Sequence, residues 1–454
     1  MFTDAQLLQM SITLVLAVVV FMIAYSLKPG VAAVALVLLI PFQPIDTKYA
    51  SANVALTFAL IIAWAIKGVR IRMPMLLQTL GVLFAFLVSF AVVYPPTMKQ
   101  HVVYIISLLS AFMVMWIVYD LTMRVDRLQT IVNIFLIMNV FVVIYCVIQL
   151  IAGPGERVVL FGINELHMMR VRADRRLTGP FGAAGIHAEY TVIILFMILY
   201  QMIMTKEFWT KVGLFLLGST NLLLLITTGN RGGFLVMLAA GMMFLWMFRR
   251  VIGPVRTIGI AAAAVTILAI TSIVAINMTQ FDRLFERLAK TEVQAGIPDT
   301  RAIVWPVAWE AFLEEPILGH GPRLRFDGED DGARYEGHLY ILYPHNLYLF
   351  LAFTVGIVGV TAFVILLFSP LIRCWKTIRR TSFESYETGL ARTGVIIMTI
   401  IIVDGIKIDF MRYTQVDYWH FVFALMGMLY AVCDRVLNQQ QEPVREHAMT
   451  LQPA

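Results

Sequence analysis

Residues 345–368 read HNLYLFLAFTVGIVGVTAFVILLF, two polar side chains followed by a long uncharged apolar run. A helix rises 1.5 Å per residue, so such a run crosses roughly 30 Å of hydrocarbon. Runs of the same kind recur from the N-terminus to beyond residue 430, and 60% of the 454 residues are hydrophobic against 14% charged. A membrane β-barrel would instead show segments of about ten residues with alternating polarity. The sequence therefore specifies an all-α polytopic membrane protein in a single integral membrane domain over residues 1–438, with a disordered cytoplasmic tail at 439–454. The first run, Leu7 to Leu27, has neither a positive n-region nor a small-residue cleavage site, so it reads as a retained helix.

Helices are predicted near 7–27, 53–66, 75–93, 102–120, 129–152, 187–205, 212–228, 232–248, 257–276, 345–372, 392–408 and 417–433. The short apolar stretch 31–43 is either a thirteenth crossing or a re-entrant or interfacial segment, giving 12–13 transmembrane helices. Basic residues gather in short loops, among them Lys67, Arg70 and Arg72, then Arg249, Arg250 and Arg256, then Arg373, Lys376, Arg379 and Arg380. The positive-inside rule makes these loops cytoplasmic, and they account for the net charge of +6 without nucleic-acid binding. Cys146, Cys374 and Cys433 fall in predicted helices or cytoplasmic loops, which argues against a disulfide framework or a cysteine metal site.

Two large external loops follow from this topology, at about 153–186 and 277–344. The first holds Arg157, Arg170, Arg172, Arg175 and Arg176, charges placed against the inside bias and so suited to an anion. In the second, MTQFDRLFERLAK at 278–290 sets Phe281, Leu284, Phe285 and Leu288 on one face, the pattern of an interfacial amphipathic helix. A further short helix is expected to begin near Trp305, because Pro306 belongs in a first turn, and to end at Pro316.

Arg231 lies in TTGNRGGF at the external end of two apolar runs, where an arginine must snorkel, pair or bind an anion. The neighbouring glycines would let a phosphate approach the amides that open the next helix. His345 follows Pro344 at a helix start, a setting that keeps imidazole neutral and able to accept a proton, although a polar anchor at an interface looks the same. Asn346 suits either a helix cap or a substrate contact, and His320 sits in a Gly-rich turn. The acidic run 328–332 reads as a solvated loop tip, and Asp404 with Lys407, three apart, reads as a packed pair on one helix face.

Taken in order, TGNRGGF at 228–234, TRAIVWPVAWEAFLEEPILGHGP at 300–322 and PHNLYLFLAFTVGIVG at 344–359 resemble the O-antigen ligase and O-antigen polymerase superfamily of bacterial polysaccharide assembly. TGPFGAAGIHAEY at 178–190 resembles the family's upstream block more loosely, so the ligase-like region covers about 178–372. His187 departs there from the small or amide residue usual in relatives.

The resemblance implies a GT-C type glycosyltransferase in the bacterial inner membrane, its site facing the periplasm, working without a metal or other cofactor and inverting the anomeric carbon. The donor implied is an undecaprenyl-diphosphate-linked glycan. The acceptor is lipid A core for a ligase or a second lipid-linked glycan for a polymerase. The family's functional residues fall on Arg231, Arg301 and His345, the arginines on the diphosphate and the histidine as base toward the acceptor hydroxyl. Arg176, Arg323, Arg325, Asn346 and His320 are the further residues expected to touch substrate. The contrasting class is a lipid-linked oligosaccharide flippase, which would show charged residues at mid-membrane and repeat symmetry; neither is evident in the sequence.

Overall fold

The computed structural model describes residues 18–19, 21–42, 52–89, 98–152, 176–253, 293–294, 297–298, 301–321, 334–335, 338–339, 344–381, 385–411 and 416–450. These residues are helical apart from two short antiparallel hairpins, Val293–Gln294 with Ile297–Pro298 and Arg334–Tyr335 with His338–Leu339. The helices are α1 (Pro29–Leu39), α2 (Ala52–Ile66), α3 (Leu76–Ser89), α4 (Met98–Arg124), α5 (Leu128–Ala152), α6 (Ala184–Met204), α7 (Phe208–Thr227), α8 (Arg231–Ile252), α9 (Arg301–Glu314), α10 (Leu347–Arg380), α11 (Tyr386–Asp404) and α12 (Val416–Thr450).

Among the described residues, eight helices are long and apolar enough to cross a membrane: α4 to α8 and α10 to α12. The protein is a polytopic, multi-pass membrane protein. The stretch read as either a short crossing or a re-entrant segment is α1, whose 11 residues reach about 16 Å, half the hydrocarbon thickness. The expected helices at 257–276 and 278–290 lie outside the described residues.

The centre of the bundle is the pair α4 and α12. Gly427 lies directly on the Met115 backbone, the close approach that a small residue permits between membrane helices. Ser110 Oγ meets His420 Nε2 at 2.8 Å, and the Tyr104 hydroxyl donates to the Met411 carbonyl at 2.7 Å. Toward the other end, Tyr119 donates to Asp434, which also pairs with Arg373 of α10. Inter-helix polar contacts of this kind satisfy groups that hydrocarbon would leave bare. Outward, Leu77, Phe84, Ile151 and Trp209 are exposed, as lipid-facing side chains must be.

Three boundaries differ from expectation. Helix α9 starts at Arg301 rather than near Trp305 and carries Pro306 inside it. The proline costs one hydrogen bond, to the Ala302 carbonyl, and the helix is anchored by side chains instead. Helix α12 continues to Thr450, past the end expected near residue 433, through Gln439, Gln440, Gln441 and Glu442, which favour helix.

The third difference is in α10, where the predicted continuous helix is broken at Gly356, with φ 62° and ψ −170°. The break would orphan the Phe353 carbonyl and the Ile357 amide, which pair with each other in an unbroken helix. Both are taken up by the turn that follows α9: His320 N donates to Phe353 O at 2.8 Å, and Ile357 N donates to Pro316 O at 2.9 Å. One intrahelical bond is thus exchanged for two bonds that fasten α9 to α10.

Candidate active site

Five segments meet at the end of the bundle where α8 begins. In the turn between α7 and α8, Gly229 takes φ 59° and Asn230 caps α8, its side-chain oxygen accepting from Gly233 N at 2.9 Å. Arg231 is the first residue of the helix and is half-buried. Arg176 lies against this turn: its Nε donates to the Thr228 carbonyl at 2.9 Å and its stem faces Gly229. Arg231 and Arg176 are thereby brought to one turn.

The turn after α11 ties the rest together. Lys407 pairs with Asp404 at 2.6 Å, and its stem crosses Gly232 so closely that a β-carbon there would sit 2.6 Å from Cδ and 2.9 Å from Nζ. The Lys407 carbonyl accepts from Arg301 at 3.1 Å, which fixes the start of α9 beside the start of α8. Two residues earlier, the Gly405 carbonyl accepts from Leu347 N at 2.7 Å, which fixes the start of α10. The Trp305 indole donates to the Pro344 carbonyl at 2.8 Å, so the helix headed by Arg301 also holds the residue before His345. Arg231 and Arg301 open two helices and His345 lies two residues before a third, and the 405–407 turn joins the starts of all three.

His345 is exposed and takes φ 48°, a left-handed conformation that histidine tolerates better than most side chains. It does not open the helix as the sequence suggests. Asn346 is the N-cap, accepting from Tyr348 N at 3.0 Å and Leu349 N at 3.1 Å, and the helix begins at Leu347. Of the two roles open to Asn346, the structure displays the cap. Asn346→Ala should therefore lower stability by about 1 kcal/mol while Asn346→Asp leaves it near the wild type, read by thermal unfolding of the purified protein.

His320 is placed away from this turn. Its Nε2 donates to the Ala311 carbonyl at 2.6 Å and its ring stacks on Phe353 at 4.9 Å, so it fastens the end of α9 to α10. His187, the departure in the upstream block, is buried against Gly179 and 3.4 Å from Cys146 Sγ, a packing position. Arg323 and Arg325, the arginines at 157–175 and the acidic run 328–332 lie outside the described residues.

Sequence reasoning passed over a buried charged group beneath the site. Glu189 on α6 is 0% exposed, and neither of its oxygens has a hydrogen-bond donor. It lies within electrostatic reach of Asp404 and Lys407, and the Tyr418 hydroxyl faces it without closing a directed bond. Glu189 and Asp404 are both fully buried in spanning helices, Glu189 in the second turn of α6 and Asp404 at the last residue of α11, so both lie near helix ends rather than at mid-membrane. The signal was the sequence HAEY inside an apolar run, since an ionisable residue in a spanning helix faces the bundle interior and a partner. The pair Asp404 and Lys407, read as packing, forms as expected but also reaches across to Gly232.

No curated protein matches the chain. Residues 212–364, which run from α7 through Arg231, Arg301 and His345 into α10, match the family model described as O-antigen ligase.

Proposed function

We propose that the protein is a metal-independent, inverting glycosyltransferase that moves a glycan from undecaprenyl diphosphate to an acceptor hydroxyl at the periplasmic face of the bacterial inner membrane. The observation that carries this reading is the convergence of Arg231, Arg301 and Lys407 at one turn, with the exposed His345 held next to them through Pro344 and Leu347. The full topology belongs to the proposal too: 12–13 spans, with external loops at 153–186 and 277–344 roofing the site.

In this reading the two guanidiniums hold the diphosphate and offset the negative charge that grows on it as the bond to the anomeric carbon breaks. His345 removes the acceptor hydroxyl proton while that oxygen attacks the anomeric carbon from the face opposite the diphosphate, which inverts the centre. Undecaprenyl diphosphate leaves with the bonding electrons. Arg176 extends the cationic wall from the turn side, and Arg323 and Arg325 are proposed substrate contacts from the sequence alone.

Lys407 is assigned here as a third cation on the diphosphate. Its ammonium lies against Gly232, the residue after Arg231, and Asp404 pairs with it. Lys407→Met is expected to raise the donor KM about tenfold, the loss of one partly screened charge contact. The single substitution also leaves Asp404 as an unpaired buried charge. Lys407→Met combined with Asp404→Asn removes the pair as a unit, and an unchanged donor KM in that double variant would return Lys407 to a packing role.

Buried ionisable side chains in the spanning helices, Glu189 and Asp404 among them, favour a transporter of lipid-linked glycans as the second reading. One experiment separates these. The purified protein is reconstituted with the lipid-linked repeat and either lipid A core or excess repeat, and products are resolved on gels. A single addition to the core identifies a ligase and a ladder of repeats identifies a polymerase. Glycan crossing the bilayer with no new linkage would overturn the transferase reading.

A further inference from the structure

Beside the 405–407 turn, the Tyr418 hydroxyl, both oxygens of Glu189 and both oxygens of Asp404 make no directed hydrogen bond among the described residues. Tyr418, Glu189 and Asp404 are all fully buried and come from three helices, α12, α6 and α11. Asp404 has the Lys407 ammonium at 2.6 Å, whereas Glu189 has neither a cation nor a donor in contact. We propose that Glu189 is a neutral carboxylic acid and a positioning residue for Lys407, donating to Asp404 so that Asp404 aims the ammonium at the anion site. The positioning role rests on the assignment of Lys407 to the diphosphate; the neutral acid does not.

The packing puts Glu189 where this requires it. A β-carbon on Gly185 would lie 3.2 Å from Asn230 Nδ2 and 3.5 Å from Ile408 Cδ1, and one on Gly233 would lie 2.9 Å from the Ala188 β-carbon. The first turns of α6 are thus wedged between the start of α8 and the turn that carries Lys407. The titratable groups that face Glu189 are Asp404, Lys407, Tyr418 and, from α10, Tyr348. Tyr348 is already engaged, its hydroxyl donating to the Ile402 carbonyl at 2.7 Å.

Charge and hydrogen-bond accounting lead to the same proton. Two buried carboxylates against one ammonium leave a negative charge in a dry interior, which costs more than retaining a proton. Two ionised carboxylates also only accept, so neither can bond to the other. One added proton completes a series in which Tyr418 donates to Glu189, Glu189 donates to Asp404, and Asp404 accepts from Lys407. Asp404 keeps its charge because it touches the ammonium, and the proton falls to Glu189.

The test combines infrared spectroscopy of the purified full-length protein at neutral pH with donor kinetics. The wild type should show a carboxylic-acid carbonyl band that is missing in Glu189→Gln. Glu189→Leu should raise the donor KM about tenfold, as Lys407→Met does, and add nothing to it in the double variant. Glu189→Gln, which still donates and accepts, should restore most of that loss. No loss of an acid band in Glu189→Gln, a donor KM in Glu189→Gln as high as in Glu189→Leu, or additive effects of Glu189→Leu and Lys407→Met would each overturn the proposal. If Glu189→Leu fails to fold, the band and the donor KM of Glu189→Gln decide. If the protein transfers no glycan, the band still decides whether Glu189 is an acid, and it is the transferase reading that has failed.

Discussion

Arg301→Ala is expected to slow glycan transfer by about a hundred-fold or more while the protein remains folded in membranes. The guanidinium is half-buried and donates to the Lys407 carbonyl at 3.1 Å, a contact that orients it. Removing one charge-assisted partner from a site that excludes water costs ~2–4 kcal/mol of transition-state stabilisation. Because the diphosphate gains charge only as the glycosidic bond breaks, the loss should appear mainly in kcat. Arg301→Lys keeps the charge but not the planar fork, so it should recover part of the rate. Arg231→Ala should behave like Arg301→Ala. Initial rates measured beside thermal unfolding of each variant check this, and a wild-type rate for folded Arg301→Ala would remove it from the site.

Gly356→Ala is expected to destabilise the protein by about 2–6 kcal/mol, the sum of backbone strain and steric overlap. At φ 62° and ψ −170° the residue occupies a region that only glycine enters without strain. A β-carbon there would overlap the Ile317 carbonyl, and main chain cannot move aside as a flexible side chain does. Gly319, at φ 69°, meets the same contact from the other side, where a β-carbon would sit 2.6 Å from Gly356 N. The two glycines let the turn after α9 reach the broken carbonyl and amide of α10. Gly241→Ala is the matched control: it is helical with nothing within 4 Å of its β-position, so it should be neutral or slightly stabilising. If both variants unfold at the wild-type temperature, the docking of α9 on the break in α10 is not what holds the site.

The parts of this architecture that repeat along the chain were legible in the sequence, and the parts that depend on one backbone contacting another were not. Apolar run length placed α4 to α8 within a few residues of their structural limits, because hydrocarbon thickness leaves little freedom. The break in α10 escaped that reading. Gly356 lies inside FTVGIVG, and nothing in the apolar run says that a distant turn at 316–320 supplies the bonds the break frees.

The candidate site divides in the same way. Arg231, Arg301 and His345 were found from motifs and their order, and their helices are joined at one turn. Lys407 was read as one half of a local pair, because its contact with Gly232 spans the bundle and leaves no periodic trace. Glu189 had a local signal in HAEY that went unused, since the apolar run around it dominated the reading.

The most direct test of the account follows undecaprenyl diphosphate release from a defined lipid-linked glycan by purified wild-type protein, Arg301→Ala and His345→Ala, with and without acceptor. The account predicts release by the wild type that depends on acceptor and matches new glycosidic linkages one for one, with both variants slower by about a hundred-fold or more. Wild-type release by folded His345→Ala, or glycan movement across the bilayer without any diphosphate release, would contradict it.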